Sequence, residues 1–145
     1  MPEARYAKGR ITESVRFISD EMAEFDRDYT GILWRQYQED RKLQKLMDRT
    51  VENILTALIE ICGTFLADRG IAVENYADVL ARCAAILGFK VTDQEKLAAL
   101  AVQRNRLAHR YLDFRWQAVR DFASKKSLVV RLLKLILDAE EKGNP

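Results

Sequence analysis

One short segment concentrates the residue types that can hold an anion and move a proton: Arg104-Asn105-Arg106-Leu107-Ala108-His109-Arg110-Tyr111. An arginine fork can hold a phosphate and stabilise the extra charge of a pentacoordinate transition state. A histidine that titrates near neutrality can take a proton from a ribose 2′-hydroxyl or give one to a leaving 5′ oxygen. A tyrosine can donate to phosphate or stack on a base. Together they suit a phosphodiester. Such chemistry needs no metal or cofactor, and no His/Cys/carboxylate cluster in the chain has metal-ligand spacing. His109 is the only histidine, so an acid/base pair of histidines requires a second copy of the chain.

Helical geometry constrains how these residues meet. Arg104 falls on the stripe of Leu97, Leu100 and Ala101, and on an unbroken helix Tyr111 returns to within about 20° of it. An arginine on an apolar stripe is costly to bury unless an anion or a carboxylate meets it. His109 lies roughly 140° around from Arg104 on an ideal helix. The two converge only if the helix ends or bends near Ala108, or if a second chain completes the site. The same residues also admit structural roles: Arg104 paired with a core carboxylate such as Asp48, His109 on the surface, Tyr111 as an interface aromatic.

The elements around the segment read as helices. Val15, Ile18, Met22 and Phe25 place a first helix over about Thr12 to Asp28, interrupted by Tyr29-Thr30-Gly31. A continuous apolar stripe from Leu43 to Leu66 predicts a second, long helix from about Leu33 to Asp68, with Gly70 as its C′ stop. That stripe is too long for one small partner, so part of it faces another chain or wraps around several helices. A third helix spans about Tyr76 to Leu87 and ends at Gly88. Thr92-Asp93-Gln94-Glu95 reads as a capping box that starts the fourth. Asp113 is the expected N-cap of a last helix ending near Glu141. Its two stripes, Val129-Val130-Leu133-Ile136-Leu137 and Leu128-Leu132-Leu135, call for burial on two sides, as in a core plus a dimer contact. No segment shows strand alternation. The expected fold is all-α, an up-and-down bundle of four to five helices forming a single domain over residues 1–145.

Composition agrees with that picture. Hydrophobic residues make up 48% and charged residues 32% of 145, an ordinary globular balance, and two prolines with six glycines are too few for a loop-rich β protein. The net charge of +2 hides an asymmetry: residues 104–134 carry nine Lys or Arg against two Asp, whereas residues 1–103 carry 14 basic against 17 acidic. A basic carboxy-terminal third can attract a polyanion, although basic residues around a helix also serve as a solvated face. Cys62 and Cys83 stand in apolar surroundings without Cys-x-x-Cys spacing and read as reduced core thiols. The amino terminus lacks a signal-peptide pattern, and apolar runs such as Ile54 to Ile61 read as too short to span a bilayer. A cytoplasmic location, with no membrane partner, is the expectation.

The string Arg104-x4-His109-x-Tyr111, with Asn105 directly after the arginine, resembles the Arg-x4-His-x-Tyr signature of the HepT toxins, members of the HEPN superfamily. The helix carrying Arg49-Thr50-Val51-Glu52-Asn53-Ile54-Leu55, the Tyr76 helix ending in Leu87-Gly88 and the capped helix after it resemble the HepT order of elements. The resemblance covers about Ile11 to Val119. It implies a HEPN-like homodimer whose two motifs meet in a cleft, and a metal-independent endoribonuclease with Arg104 and His109 as catalytic residues. Cleavage by 2′-hydroxyl attack would leave a 2′,3′-cyclic phosphate. The resemblance further implies a toxin–antitoxin pair in which an MntA-like minimal nucleotidyltransferase transfers AMP to Tyr111. Asn105 would support the motif through hydrogen bonds, and Arg106 and Arg110 would bind the RNA backbone. Leu128, Leu132 and Leu135 lie beyond the resemblance and are expected to shape the dimer or the antitoxin contact. Two other readings compete: a non-catalytic HEPN module that presents nucleotide or substrate to a nucleotidyltransferase, and a helical dimerisation adaptor.

Overall fold

The computed structural model describes the backbone of residues 2–142 and the surroundings of side chains 9–142. Among the described residues there are seven helices and no strands: α1 (Pro2–Asp28), α2 (Trp34–Glu39), α3 (Arg41–Ala67), α4 (Tyr76–Ile86), α5 (Val91–Leu107), α6 (Leu112–Ser124) and α7 (Lys126–Lys142). The all-α class expected from the sequence is found. All five expected helices are present, and two of them are each broken in two. The first starts at Pro2 rather than near Thr12. A proline in the first turn is tolerated because an N–H there has no helical acceptor anyway.

The expected Leu33–Asp68 helix breaks at Asp40. The Asp40 carboxylate accepts from the Leu43 N–H at 3.0 Å and so caps α3. Gln44 then donates from Nε2 to the carbonyls of Tyr37 (2.8 Å) and Gln38 (3.3 Å), satisfying acceptors that the interruption frees. The break lets α2 fold back so that Tyr37 is fully buried, with its ring 4.9 Å from that of Trp116 on α6. An apolar stripe does not register a polar residue that leaves the helix to cap the next one, which is why periodicity alone runs the two together.

α3 is the central element and packs against α1, α2, α4, α5 and α6. Its long stripe is therefore covered by several helices of the same chain. By length and composition α3 would suffice to cross a membrane, with a mean hydropathy of 1.4 over its most apolar stretch, contrary to the expectation that its apolar runs are too short. In the fold, 61% of that stretch is buried, as in a core helix. Gly70 ends α3 as expected, at φ +68°, with the Ile71 N–H returning to the Leu66 carbonyl and the Gly70 N–H to that of Ala67. Gly88, at φ +89°, closes α4 through the same pair of bonds, from Phe89 to Ala84 and from Gly88 to Ala85.

The remaining corrections concern caps. α5 starts at Val91, and its N-cap is Lys90, so Thr92 lies inside the first turn and the expected capping box does not form. Burial of Phe89 fixes the entry to α5, and Gln94 donates from its side chain to the Phe89 carbonyl at 2.8 Å. Tyr111 rather than Asp113 occupies the N-cap of α6. The expected last helix breaks at Lys125, whose N–H donates to the Phe122 carbonyl while its Nζ pairs with Asp121 at 2.8 Å. The bend lets α7 cross α1, α5 and α6. Val129, Leu132, Leu133 and Ile136 are buried there, and Leu128, Leu135 and Leu137 partly so. Most of the broad surface is thus absorbed within the chain, leaving Val130 exposed. Cys62 and Cys83 are buried and unpaired, as expected; the neighbouring Cys83 and full burial push the Cys62 thiol well above its ordinary range.

Candidate active site

The motif straddles the end of a helix. α5 stops at Leu107, the Ala108 N–H donates to the Asn105 carbonyl (3.2 Å), and the His109 N–H donates to that of Arg106 (3.0 Å). Buried Leu107 and half-buried Leu112 anchor the two sides of the turn. Arg104 and Arg106 sit in the last turn of α5, where cations are favoured by the helix dipole. A helix end near Ala108, one of the two routes by which Arg104 and His109 could meet, is present, yet the two side chains stay apart. The end also overturns the shared face of Arg104 and Tyr111, which required the helix to continue.

Arg104 is half-buried. Its Nε donates to Thr56 Oγ1 on α3 at 3.0 Å, and its guanidinium carbon lies 5.5 Å from the centre of the Tyr76 ring on α4. With Arg49, Asn53, Thr56 and the carboxylates Glu13, Glu52 and Glu60 it lines an open cleft of about 530 Å³ between α1, α3 and α5. It forms no ion pair with a described carboxylate. Asp48, the alternative partner, sits about two turns earlier on α3 and is taken: Oδ1 accepts from Tyr37 Oη at 2.6 Å and Oδ2 from Arg115 Nη1 at 2.9 Å. Burial raises the Asp48 carboxyl above its ordinary value against the opposing pull of Tyr37 and Arg115. Tyr37 is raised in turn by burial and by the carboxylate. Of Arg104 and Arg115, only Arg115 is ion-paired among the described residues.

His109 projects from the turn into solvent. Its ring lies 4.8 Å from that of Tyr111, tilted by 30°, and 4.9 Å edge-on from that of Phe114. Nδ1 accepts from the Tyr111 backbone N–H at 3.3 Å. In the neutral ring this leaves the proton on Nε2, facing away from the turn. Tyr111 is 51% exposed, and the Arg110 guanidinium lies 5.4 Å over its ring. Arg106 is half-buried, its Nη1 3.5 Å from Gln103 Oε1. The Asn105 side chain is exposed, and its backbone carbonyl accepts from the Ala108 N–H.

Two groups result. His109, Arg110, Tyr111 and Phe114 form an exposed aromatic and basic cluster at the turn. Arg104, Thr56 and Arg49 belong to the cleft, and His109 does not line it. Thr56, Tyr76 and Phe114 are missed by sequence reasoning. Only Phe114 left a signal, an aromatic one turn after Tyr111; the other two come from distant helices and are brought in by tertiary packing.

A family model described as HepT-like, ribonuclease HepT-like, matches residues 11–135. The match reaches from the buried Ile11 on α1 well into α7, so it takes in the whole site and also Leu128, Leu132 and Leu135. No curated protein matches the chain.

Proposed function

The chain belongs to the HepT-like ribonuclease family, and from that premise we propose that it is a metal-independent endoribonuclease toxin acting as a homodimer. The observation that carries this reading is the helix end inside the motif. It leaves Arg104 half-buried and free of any described carboxylate, and it turns His109 out to solvent with Nδ1 accepting a backbone N–H, so that a neutral ring offers Nε2–H as donor. Arg104 holds the scissile phosphate and stabilises the charge that builds on its oxygens. The ribose 2′-hydroxyl attacks phosphorus, the bond to the 5′ oxygen breaks, and a 2′,3′-cyclic phosphate remains. His109 exchanges protons with these two oxygens, and the ring orientation suits the donor half of that exchange.

A second copy accounts for the separation of the two groups. A symmetric dimer brings the His109 cluster of one protomer to the Arg104 cleft of the other and supplies two histidines. Arg106 and Arg110 add backbone contacts within the basic carboxy-terminal third. Asn105, exposed beside Arg104, makes its supporting hydrogen bonds across the dimer or to RNA. The exposed Tyr111 hydroxyl is the acceptor for AMP from an MntA-like nucleotidyltransferase antitoxin, with pyrophosphate leaving from ATP. Each AMP adds a phosphate and a bulky nucleoside where RNA phosphate must sit, so repulsion and lost access both block the site. This work belongs in the cytoplasm, where the RNA and the ATP are.

The test is cleavage of a mixed RNA pool by the purified chain in the presence of EDTA. Wild type is expected to cut and to leave cyclic-phosphate ends, while Arg104→Ala and His109→Ala each lose about 10²–10⁴-fold. Cleavage that survives His109→Ala refutes the assignment. A chain that binds RNA or the transferase and never cuts would instead be the non-catalytic module.

A further inference from the structure

We propose that Thr56 is the positioning residue of the motif arginine and that it fixes how Arg104 can grip a phosphate. This inference rests on the ribonuclease reading of the same site. A guanidinium offers two bidentate edges, one made by Nε with an adjacent Nη and one made by the two Nη groups. In this protein Nε is committed to Thr56 Oγ1 at 3.0 Å. The first edge is closed, and only the Nη1/Nη2 edge remains to straddle two phosphate oxygens. Tyr76 stands against the same guanidinium at 5.5 Å and limits its swing on the α4 side.

The threonine suits this task. Oγ1 of Thr50, one helical stretch earlier, bonds back to the Leu46 carbonyl at 2.9 Å, the ordinary local choice for a hydroxyl on a helix. Among the described residues Thr56 makes no such return; it lines the cleft and its hydroxyl oxygen accepts from Arg104. Its position is rigid, because α3 is the core helix and the adjacent Leu55 and Ala57 are buried. An arginine on a helix's last turn would otherwise sample many rotamers. Anchoring Nε to the core removes that freedom before the substrate arrives. The long reach from α5 to α3 is what makes the motif arginine a preset clamp rather than a mobile surface charge.

The discriminating variants are Thr56→Val, which keeps the shape and removes the acceptor, and Thr56→Ser, which restores it. Thr56→Val is expected to lower kcat/KM for RNA cleavage about tenfold, the order for a hydrogen bond to a charged group. The pH profile of cleavage and the melting temperature should stay within error, and Thr56→Ser should recover most of the activity. The Arg104 Nε–H resonance should show slowed exchange in wild type and Thr56→Ser and lose it in Thr56→Val. Full cleavage by Thr56→Val, or an Nε–H that exchanges equally fast in all three proteins, overturns the proposal. Binding of 2′-O-methyl RNA, which cannot be cut by 2′-hydroxyl attack, separates this from the activity itself. A protein that cuts nothing but still loses about tenfold affinity on Thr56→Val refutes the ribonuclease reading and keeps the clamp. A protein whose affinity is unchanged loses the clamp as well.

Discussion

Asp48→Ala should be among the most damaging single substitutions in this fold, and its cost can be worked from the network it breaks. The carboxylate accepts from Tyr37 Oη at 2.6 Å and from Arg115 Nη1 at 2.9 Å, joining α2, α3 and α6. The side chains of Arg115 and Asp48 are only 21% and 10% exposed, and Arg115 Nε is already buried without a partner. Removing the acceptor strands a guanidinium and a phenol hydroxyl inside the protein. Breaking one side of a buried pair costs about 3–5 kcal/mol. At roughly 2–4 °C per kcal/mol for a domain of this size, the melting temperature should fall by about 6–20 °C. Urea unfolding at a fixed protein concentration measures the loss, since any self-association adds a concentration term.

The same network makes a sharper claim when all of it is removed. Burial dominates the Asp48 carboxyl and holds it above its ordinary value, so the intact pair contributes little net stability. The triple variant Tyr37→Phe, Asp48→Leu, Arg115→Met should therefore be more stable than Asp48→Ala alone. The pH dependence has a definite sign. A raised carboxyl makes the folded state bind its proton more readily than the unfolded state, so this group's contribution falls as pH rises from the ordinary carboxylate value through the raised one. Asp48→Asn should flatten that fall. An Asp48→Ala loss below about 1 kcal/mol, or a triple variant no better than the single, would refute the reasoning.

Three other outcomes follow from the site and its frame. If Arg104 and His109 act from different protomers, mixing Arg104→Ala with His109→Ala protein should restore about a quarter of wild-type cleavage, because half of the random dimers carry one intact site of two. No recovery after subunit exchange would place both residues in one chain. If Tyr111 accepts AMP as proposed, Tyr111→Phe should abolish AMP-sized additions in intact-mass spectra of protein co-expressed with an MntA-like nucleotidyltransferase while leaving cleavage in place; additions that persist move the acceptor elsewhere. Gly88→Ala should cost about 1–2 kcal/mol through its positive φ alone, since a Cβ there meets nothing within 4 Å. Gly63→Ala, inside α3 with equally open space, should instead gain about 0.5–1 kcal/mol. Chemical denaturation of the two variants side by side checks the contrast.

Much of the fold was legible because its helices announce themselves through apolar spacing and glycine stops. Gly70 and Gly88 end their helices where the sequence places them, and the stripe from Leu43 to Leu66 is the core stripe of α3 except for Leu46, which is exposed. What periodicity could not show were the two breaks, at Asp40 and Lys125, where apolar spacing continues across a change of direction. Each is decided by a tertiary contact: Tyr37 reaching Asp48 and Trp116, and Phe122 packing 5.3 Å from Phe25. Cap residues were misplaced for a related reason. Thr92 and Asp113 have the right side chains, but buried Phe89 and the turn at Tyr111 set where α5 and α6 begin.

The site divides along the same line. Arg104, His109 and Tyr111 are neighbours in sequence, so their types and spacing could be read together. The angle between them left two routes to convergence, a helix end near Ala108 or a second chain; the end is there and does not by itself join them. Thr56 could not be found that way. It lies 48 residues from Arg104, carries no motif, and looks like any hydroxyl on an apolar helix. Its significance arises only once α5 packs on α3 and the arginine that broke an apolar stripe reaches across to it. A sequence motif can thus be local while the contacts that position its residues are not. The distant threonine holds one edge of the guanidinium and leaves the other open, and if that edge takes the phosphate as proposed, the search for what tunes the activity belongs on α3 as much as on the motif itself.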